Sequence, residues 1–147
     1  MSINIDEKDT LILEALKEDS HSSIQKIAKR TGIPPVTVHN RIKKLRSEGV
    51  IEKYTIKINK AKLGRAMSAY VLIKATPKSD HIGLLEKIIK HELAEDGSAI
   101  TGEFDLIIKI RVKDVDELNL FTLKFLRTFD EVSQTQTMIA FKNVEKY

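Results

Sequence analysis

Apolar positions along the 147-residue chain change their period once. Up to about residue 49 they recur at spacings of three and four, the signature of amphipathic helices; beyond it, stretches of strict alternation interleave with helical ones. Leu11, Ile12, Ala15 and Leu16 form the first stripe and predict a helix over roughly 7–18, with Asp6 as its N-cap. Ile24, Ile27 and Ala28 predict a second, short helix. Ser23 can accept from an early helical N–H, and Gly32 permits the left-handed residue that ends it. A third helix begins near Pro35, tolerated at a first helical position where its missing N–H has no intrahelical partner, and buries Val38, Ile42 and Leu45. The last two helices, joined by a tight turn, make a helix–turn–helix. The next ten residues, VIEKYTIKIN (50–59), set Tyr54, Ile56 and Ile58 against Thr55, Lys57 and Asn59, which predicts the strand of a short wing.

NKAKLGR (59–65) is polar and contains Gly64, and marks a boundary between domains 1–60 and 61–147. After it, Ala66–Thr76 alternates, with Ala69, Val71, Ile73 and Ala75 on one face and Tyr70 and Leu72 on the other. Ser79 or Asp80 caps a helix carrying Leu84, Leu85, Ile88, Ile89 and Leu93. Gly97–Thr101 is a poor strand by composition, whereas Phe104–Val112 is a strong one, with Leu106, Ile108, Ile110 and Val112 in register. Asp114 caps a helix bearing Val115, Leu118, Phe121, Phe125 and Phe129, and Val132–Val144 is the last strand. The order β-α-β-β-α-β is the ferredoxin-like pattern. The whole chain is thus α+β: an N-terminal winged helix–turn–helix and a C-terminal ferredoxin-like domain. Both helices of the second half cover one sheet face, while Tyr70, Leu72 and Ile107 stay on the other, which predicts burial against a second copy in a homodimer.

Charge sharpens this division. Residues 1–60 hold 12 Lys/Arg against 8 Asp/Glu and residues 61–147 hold 13 against 13, so the net charge of +4 lies wholly in the first half. Such a balance suggests that only the first half meets a polyanion. No acid lies between Asp19 and Glu48, while Lys26, Lys29, Arg30, Arg41, Lys43, Lys44 and Arg46 do. At 100° per residue, the face of the third helix opposite its apolar stripe carries Val36, Asn40, Lys43 and Ser47, flanked by Thr37, His39 and Lys44. A Lys/Arg run is usually just a solvated face. Joined to a helix–turn–helix, it points to the DNA major groove. The candidate DNA-binding residues are Lys29, Arg30, Pro35, Val36, Thr37, His39, Asn40, Lys43, Lys44 and Ser47.

Zero cysteines exclude a disulfide framework and Cys-based zinc sites. His21, His39, His81 and His91 lack metal-ligand spacing; His39 flanks the DNA face and the others are expected to be exposed. No phosphate-binding glycine loop or nucleophile-elbow motif occurs. With no apolar run near 18 residues and no N-terminal signal pattern, the chain is expected to be soluble and cytoplasmic, with no membrane partner.

Thr101-Gly102-Glu103-Phe104-Asp105 falls at a strand-to-strand turn. Gly102 can take a positive φ and the turn can aim N–H groups at an anion. Asp105 or Glu103 can hold an ammonium, and Thr135 and Thr137 share one face of the last strand. Taken alone, the turn reads first as an ordinary hairpin with a capping acid, and only second as a ligand site.

The two halves together resemble the Lrp/AsnC, or feast/famine, regulators over nearly the whole chain. IDEKDTLILEAL (5–16) is similar to that family's opening helix, and RTGIPPVTVHNRIKKLRSEGVIEKYT (30–55) to its recognition helix and wing. TGEFDLIIKIRVKD (101–114) resembles its segment around the effector turn, and VSQTQTMI (132–139) its last strand. Pro34-Pro35 replaces the Ser-Pro that opens the recognition helix in many members, and DGSAI (96–100) is a poor version of the second sheet strand. The resemblance implies a sequence-specific regulator of double-stranded DNA that needs no cofactor and responds to a free amino acid. It also implies dimers that assemble further, commonly to octamers, with the ligand between dimers. Gly102, Glu103, Phe104, Asp105, Thr135 and Thr137 are then the effector-binding candidates. A rival reading is a sirohaem-decarboxylase-like enzyme of the same two-domain architecture, which works through histidines and has no use for a basic helix. A lone effector-binding module is a third, against which the intact N-terminal half argues.

Overall fold

The computed structural model describes residues 4–144. Two compact units divide them, the first ending at Lys57 and the second spanning Ile58–Val144.

In the first unit α1 spans Glu7–Glu18, α2 Ile24–Thr31 and α3 Pro35–Ser47. Asp6 opens α1 with a full capping box: its carboxylate accepts from the Asp9 N–H at 2.9 Å, and the Asp9 carboxylate accepts from the Asp6 N–H at 3.2 Å. Ile12, Ala15 and Leu16 are buried as expected, but Leu11 is 39% exposed and Asp9 is buried in its stead. Leu11 stands about 100° from Ile12 around the axis, too far to join a stripe centred on Ile12. Ser23 caps α2 through a 3.2 Å bond from the Lys26 N–H, and Gly32 ends it at φ +72°. Pro34 supplies no cap to α3, so the turn is held by proline stiffness and by Ile33, which is buried. The core comprises Ile12, Ala15, Leu16, Ile27, Ala28, Ile33 and Val38, with Ile42 at its margin.

Residues 50–59 form no strand within the chain, contrary to the strand expected there. Tyr54, Ile56 and Ile58 are 46%, 72% and 45% exposed. Alternation encodes a half-buried strand only where a sheet supplies ladder bonds and a surface to cover. The described residues of this unit supply neither.

The second unit opens with a short 3-10 turn (Lys60–Leu63) and then builds β1 (Met67–Ala75), α4 (His81–Ile88), β2 (Ala94–Ala99), β3 (Leu106–Val112), α5 (Val115–Asn119) and β4 (Val132–Ala140). The strands form one sheet in the order β2-β3-β1-β4, every pair antiparallel, which is the ferredoxin-like arrangement. Its core joins Ala69, Val71 and Ile73 of β1 and Leu106, Ile108 and Ile110 of β3 to Leu84 and Ile88 of α4 and Phe121.

Of the two possible caps for α4, Asp80 accepts from the Gly83 N–H at 3.0 Å, while Ser79 donates to the Thr76 carbonyl. Strand β2 starts three residues earlier than expected and ends two earlier. Gly97 explains its weak composition: a Cβ there would come within 2.9 Å of Leu85 and Ile108, so α4 presses on the strand where a side chain would stand. Strand β4 stops at Ala140 because its partner β1 runs out near Ser68, leaving the last alternating positions without a ladder.

The second helix departs most from the expected pattern. After α5 it runs on as a π turn (Leu120–Phe125) and a 3-10 turn (Leu126–Thr128). The wider π turn brings Phe121 and Leu126, five apart, both to full burial, while Val115 is half exposed and Phe129 lies beyond the helix.

Candidate nucleic-acid interface and effector turn

Helix α3 buries Val38 and Leu45 and turns its other side outward. Val36 is 72% exposed, and Pro35, His39, Asn40, Lys43, Lys44 and Ser47 are all exposed; Thr37 is half-buried. Lys29 and Arg30 are exposed on the last turn of α2. No acid lies on this outward side of α3.

The cations around it are not equivalent. Lys26 pairs with Asp19 at 2.9 Å, Arg30 with Glu18 at 2.6 Å and Lys44 with Glu48 at 3.9 Å. Arg41 reaches back to Asp6 and Asp9 at the start of α1. Lys26, with bonds from Ser22 and the His21 N–H, holds the Asp19 carboxyl down to about 2, and Arg41 does the same for Asp6. Arg46 lies over the Tyr54 ring, 5.8 Å from its centroid. Lys29 and Lys43 take no acidic partner among the described residues. The acid-free interval of the sequence is thus partly neutralised in space by acids that lie outside it, Glu18 and Asp19 among them.

At the Thr101–Asp105 turn, Gly102 takes φ +124°, a conformation that side chains resist. Lys74 donates to the Glu103 carbonyl at 2.8 Å. The N–H groups of Gly102, Glu103 and Phe104 have no hydrogen-bond partner among the described residues. Glu103 is exposed and Phe104 is buried. Asp105 is committed to the sheet. Its N–H donates to the Ile73 carbonyl at 2.9 Å, and its carboxylate accepts from the Ala75 N–H at 2.8 Å, where the β1–β4 register shifts.

Thr135 pairs with Ile73 and Thr137 with Val71, so both stand on the helix side of the edge strand. Thr135 is half-buried and Thr137 exposed. The turn and Thr135 share one end of the sheet, across β1. Two strand spacings, about 10 Å, separate β3 from β4 there.

Sequence reasoning missed His81. It is half-buried rather than exposed, with Nδ1 4.0 Å from the Asp105 carboxylate and Nε2 shut off from solvent without a partner among the described residues. His91 is half-buried too. It packs on Phe121 and Phe125 and accepts the Leu93 N–H on Nδ1, and burial pushes its pKa down. Only the ferredoxin-like order, which brings the start of α4 beside the start of β3, could have hinted at His81. No group of three or more His, Asp or Glu able to hold a metal occurs among the described residues, and no helix there is long and apolar enough to cross a membrane.

Residues 5–52 match the winged helix-turn-helix DNA-binding family, and residues 68–147 match the Lrp/AsnC ligand binding domain. The HTH-type transcriptional regulator FL11 of Pyrococcus abyssi is 37% identical over 142 residues, covering 97% of this chain and 93% of the relative. Among solved structures, AsnC of Escherichia coli superposes with a TM-score of 0.89 at 26% identity, covering 99% of this chain and 97% of that one. The feast or famine regulatory protein of Mycobacterium tuberculosis, complexed with L-methionine, gives 0.85 at 26%, covering 97% and 96%. The chain belongs to the Lrp/AsnC family of transcriptional regulators, a DNA-binding helix–turn–helix unit followed by the family's ligand-binding domain.

Proposed function

We propose that this regulator reads specific DNA sequences with the outward side of α3, and that a free amino acid bound at the Thr101–Asp105 turn alters its assembly or its DNA binding. One observation carries the first part. A helix that buries Val38 and Leu45 leaves Val36, Asn40 and Lys43 exposed on a side free of acids. Asn40 matches adenine N6 and N7, Val36 offers an apolar contact for a thymine methyl, and Lys43 and Lys29 suit phosphates. Ser47 ends the outward face, Pro35, Thr37 and His39 line the rim, and Arg30 and Lys44 reach phosphate only by giving up Glu18 and Glu48.

For the effector, support comes from the relative that holds L-methionine and from the chemistry of the turn. The free N–H groups of Gly102, Glu103 and Phe104 suit an α-carboxylate, and the exposed Glu103 carboxylate suits the α-ammonium. Asp105 holds the turn in place, and Thr135 and Thr137 offer hydroxyls from the neighbouring edge.

The open face of the sheet carries Tyr70, Leu72, Ile107 and Met138, and among the described residues the second unit's own helices pack on the opposite face. We assign the open face to a homodimer, with assembly toward an octamer as in the family at large. The working domains are 1–60 and 61–147, in a cytoplasmic protein with no catalytic role. His81 opens α4 and His91 follows its end, about 12–15 Å away along the axis, too far apart to act as one pair.

Two measurements on the full chain test this reading. Selection from a randomised duplex pool is expected to enrich inverted repeats with half-sites about 10 bp apart, or a multiple of that. Melting curves against the twenty amino acids are expected to rise with at least one of them, since a ligand at about 100 times its Kd adds about 2.7 kcal/mol. A pool that stays random removes the first part, and twenty flat melts remove the second.

A further inference from the structure

We infer that Arg41 is a positioning residue for DNA readout: by spanning Asp6 and Asp9 it fixes the rotation of α3, and it is not itself a phosphate contact. The inference rests on α3 being the base-reading helix.

The contacts form a closed set. One Asp6 oxygen caps the Asp9 N–H and the other meets Arg41; one Asp9 oxygen accepts the Asp6 N–H and the other meets Arg41 at 3.0 Å. Asp9 is only 2% exposed, and its buried carboxyl takes its partners from the Asp6 N–H and the Arg41 guanidinium. The Arg41 side chain is itself 27% exposed, less than that of Arg30 or Lys44.

Around the helix axis Arg41 lies beside the buried Leu45 and about 100° from Asn40. Apolar burial of Val38 and Leu45 seats α3 on the core, but the hydrophobic effect behind it is non-directional and does not by itself specify a small roll. Charge-assisted bonds from a planar guanidinium are directional and resist it strongly. With side chains, a helix has a radius of about 5–6 Å, so a 20° roll moves a side-chain tip by about 2 Å. That is enough to break a hydrogen bond between Asn40 and a base edge. Phosphate contacts from long, flexible lysines would survive it.

The test uses the full chain with a random-sequence duplex and the duplex that wild type enriches from a randomised pool. Arg41→Met is expected to leave the salt slope on random DNA unchanged, whereas Lys43→Ala lowers it by about 0.9 for each α3 on the DNA. Arg41→Met is also expected to cut the ratio of specific to random affinity by about fivefold or more, what one lost base contact is worth, at temperatures where circular dichroism reports full folding. A merely structural loss would lower both affinities together and leave the ratio alone. Should Arg41→Met fail to fold, Asp6→Asn removes the exposed half of the span and carries the same expectation. A slope that falls by about 0.9 with Arg41→Met, or a ratio unchanged in a folded variant, overturns the proposal. A wild type that enriches no sequence overturns it through the underlying reading of α3, and is distinguished by failing before any variant is made.

Discussion

Seven cations lie between residues 26 and 46, and four of them face acids: Lys26, Arg30, Arg41 and Lys44. That arrangement sets the salt dependence of DNA binding. Each phosphate neutralised contributes about −0.9 to the slope of log affinity against log salt. Were all seven cations to meet phosphate, the slope would be about −6 per helix–turn–helix unit bound; with only Lys29, Lys43 and Arg46 available, it is about −3. Anisotropy titrations of a random-sequence duplex at several salt concentrations measure it, with stoichiometry fixed by sedimentation. The perturbation that probes the cause is Glu18→Gln, which releases Arg30 and is expected to steepen the slope by about one unit. Fold stability should barely change, because an exposed ion pair contributes little. A wild-type slope near −6 per unit, indifferent to Glu18→Gln, refutes the reasoning, since the acids would then be surrendering their cations to DNA.

Asn40→Ala should relax discrimination at one base position by about 1–3 kcal/mol, read from competition between single-base variants of the selected duplex. Asp105→Ala strips the partner from the Ala75 N–H and should lower stability by about 1–3 kcal/mol in urea melts. Glu103→Gln is the cleaner probe of the effector: it should keep the melting temperature and lose the amino-acid-induced rise, and a retained rise assigns the ammonium to another group. The folded-state pKa of His91 lies below its ordinary 6.5, so the unfolded chain binds the extra proton first. Stability should therefore fall as pH drops below about 6.5, and His91→Gln should flatten that limb of a plot of melting temperature against pH.

Features that depend on a few neighbouring residues were legible in the sequence. Asp6, Ser23 and Asp114 cap the helices they precede, and Leu106, Ile108, Ile110 and Val112 line one buried face. The order of elements carried the topology, because β-α-β-β-α-β admits few arrangements. What escaped was set by contacts across the chain. Arg41 counts as one more basic residue until Asp6, 35 residues away, is found against it. Asp105 looks like a free carboxylate until the register shift in β1 gives it the Ala75 N–H to hold. His81 became visible only when α4 was laid beside the turn. The outward side of α3 was fully legible, since helical geometry alone decides which residues oppose a buried stripe. The 50–59 stretch misled because alternation reports a capacity to pair, and pairing needs a partner.

The π turn between Leu120 and Phe125 has a consequence for chain length. It does the work of a one-residue insertion: Phe121 and Leu126 reach the same core across five residues, where an α-helix would need four. A chain lacking the exposed Leu123 would bring the same two side chains into α-helical spacing and leave the core unchanged. This helix can therefore absorb a single-residue gain or loss in its interior. Relatives that differ by one residue here can share one hydrophobic core, and a gap placed in the loops on either side would misalign every aromatic after it.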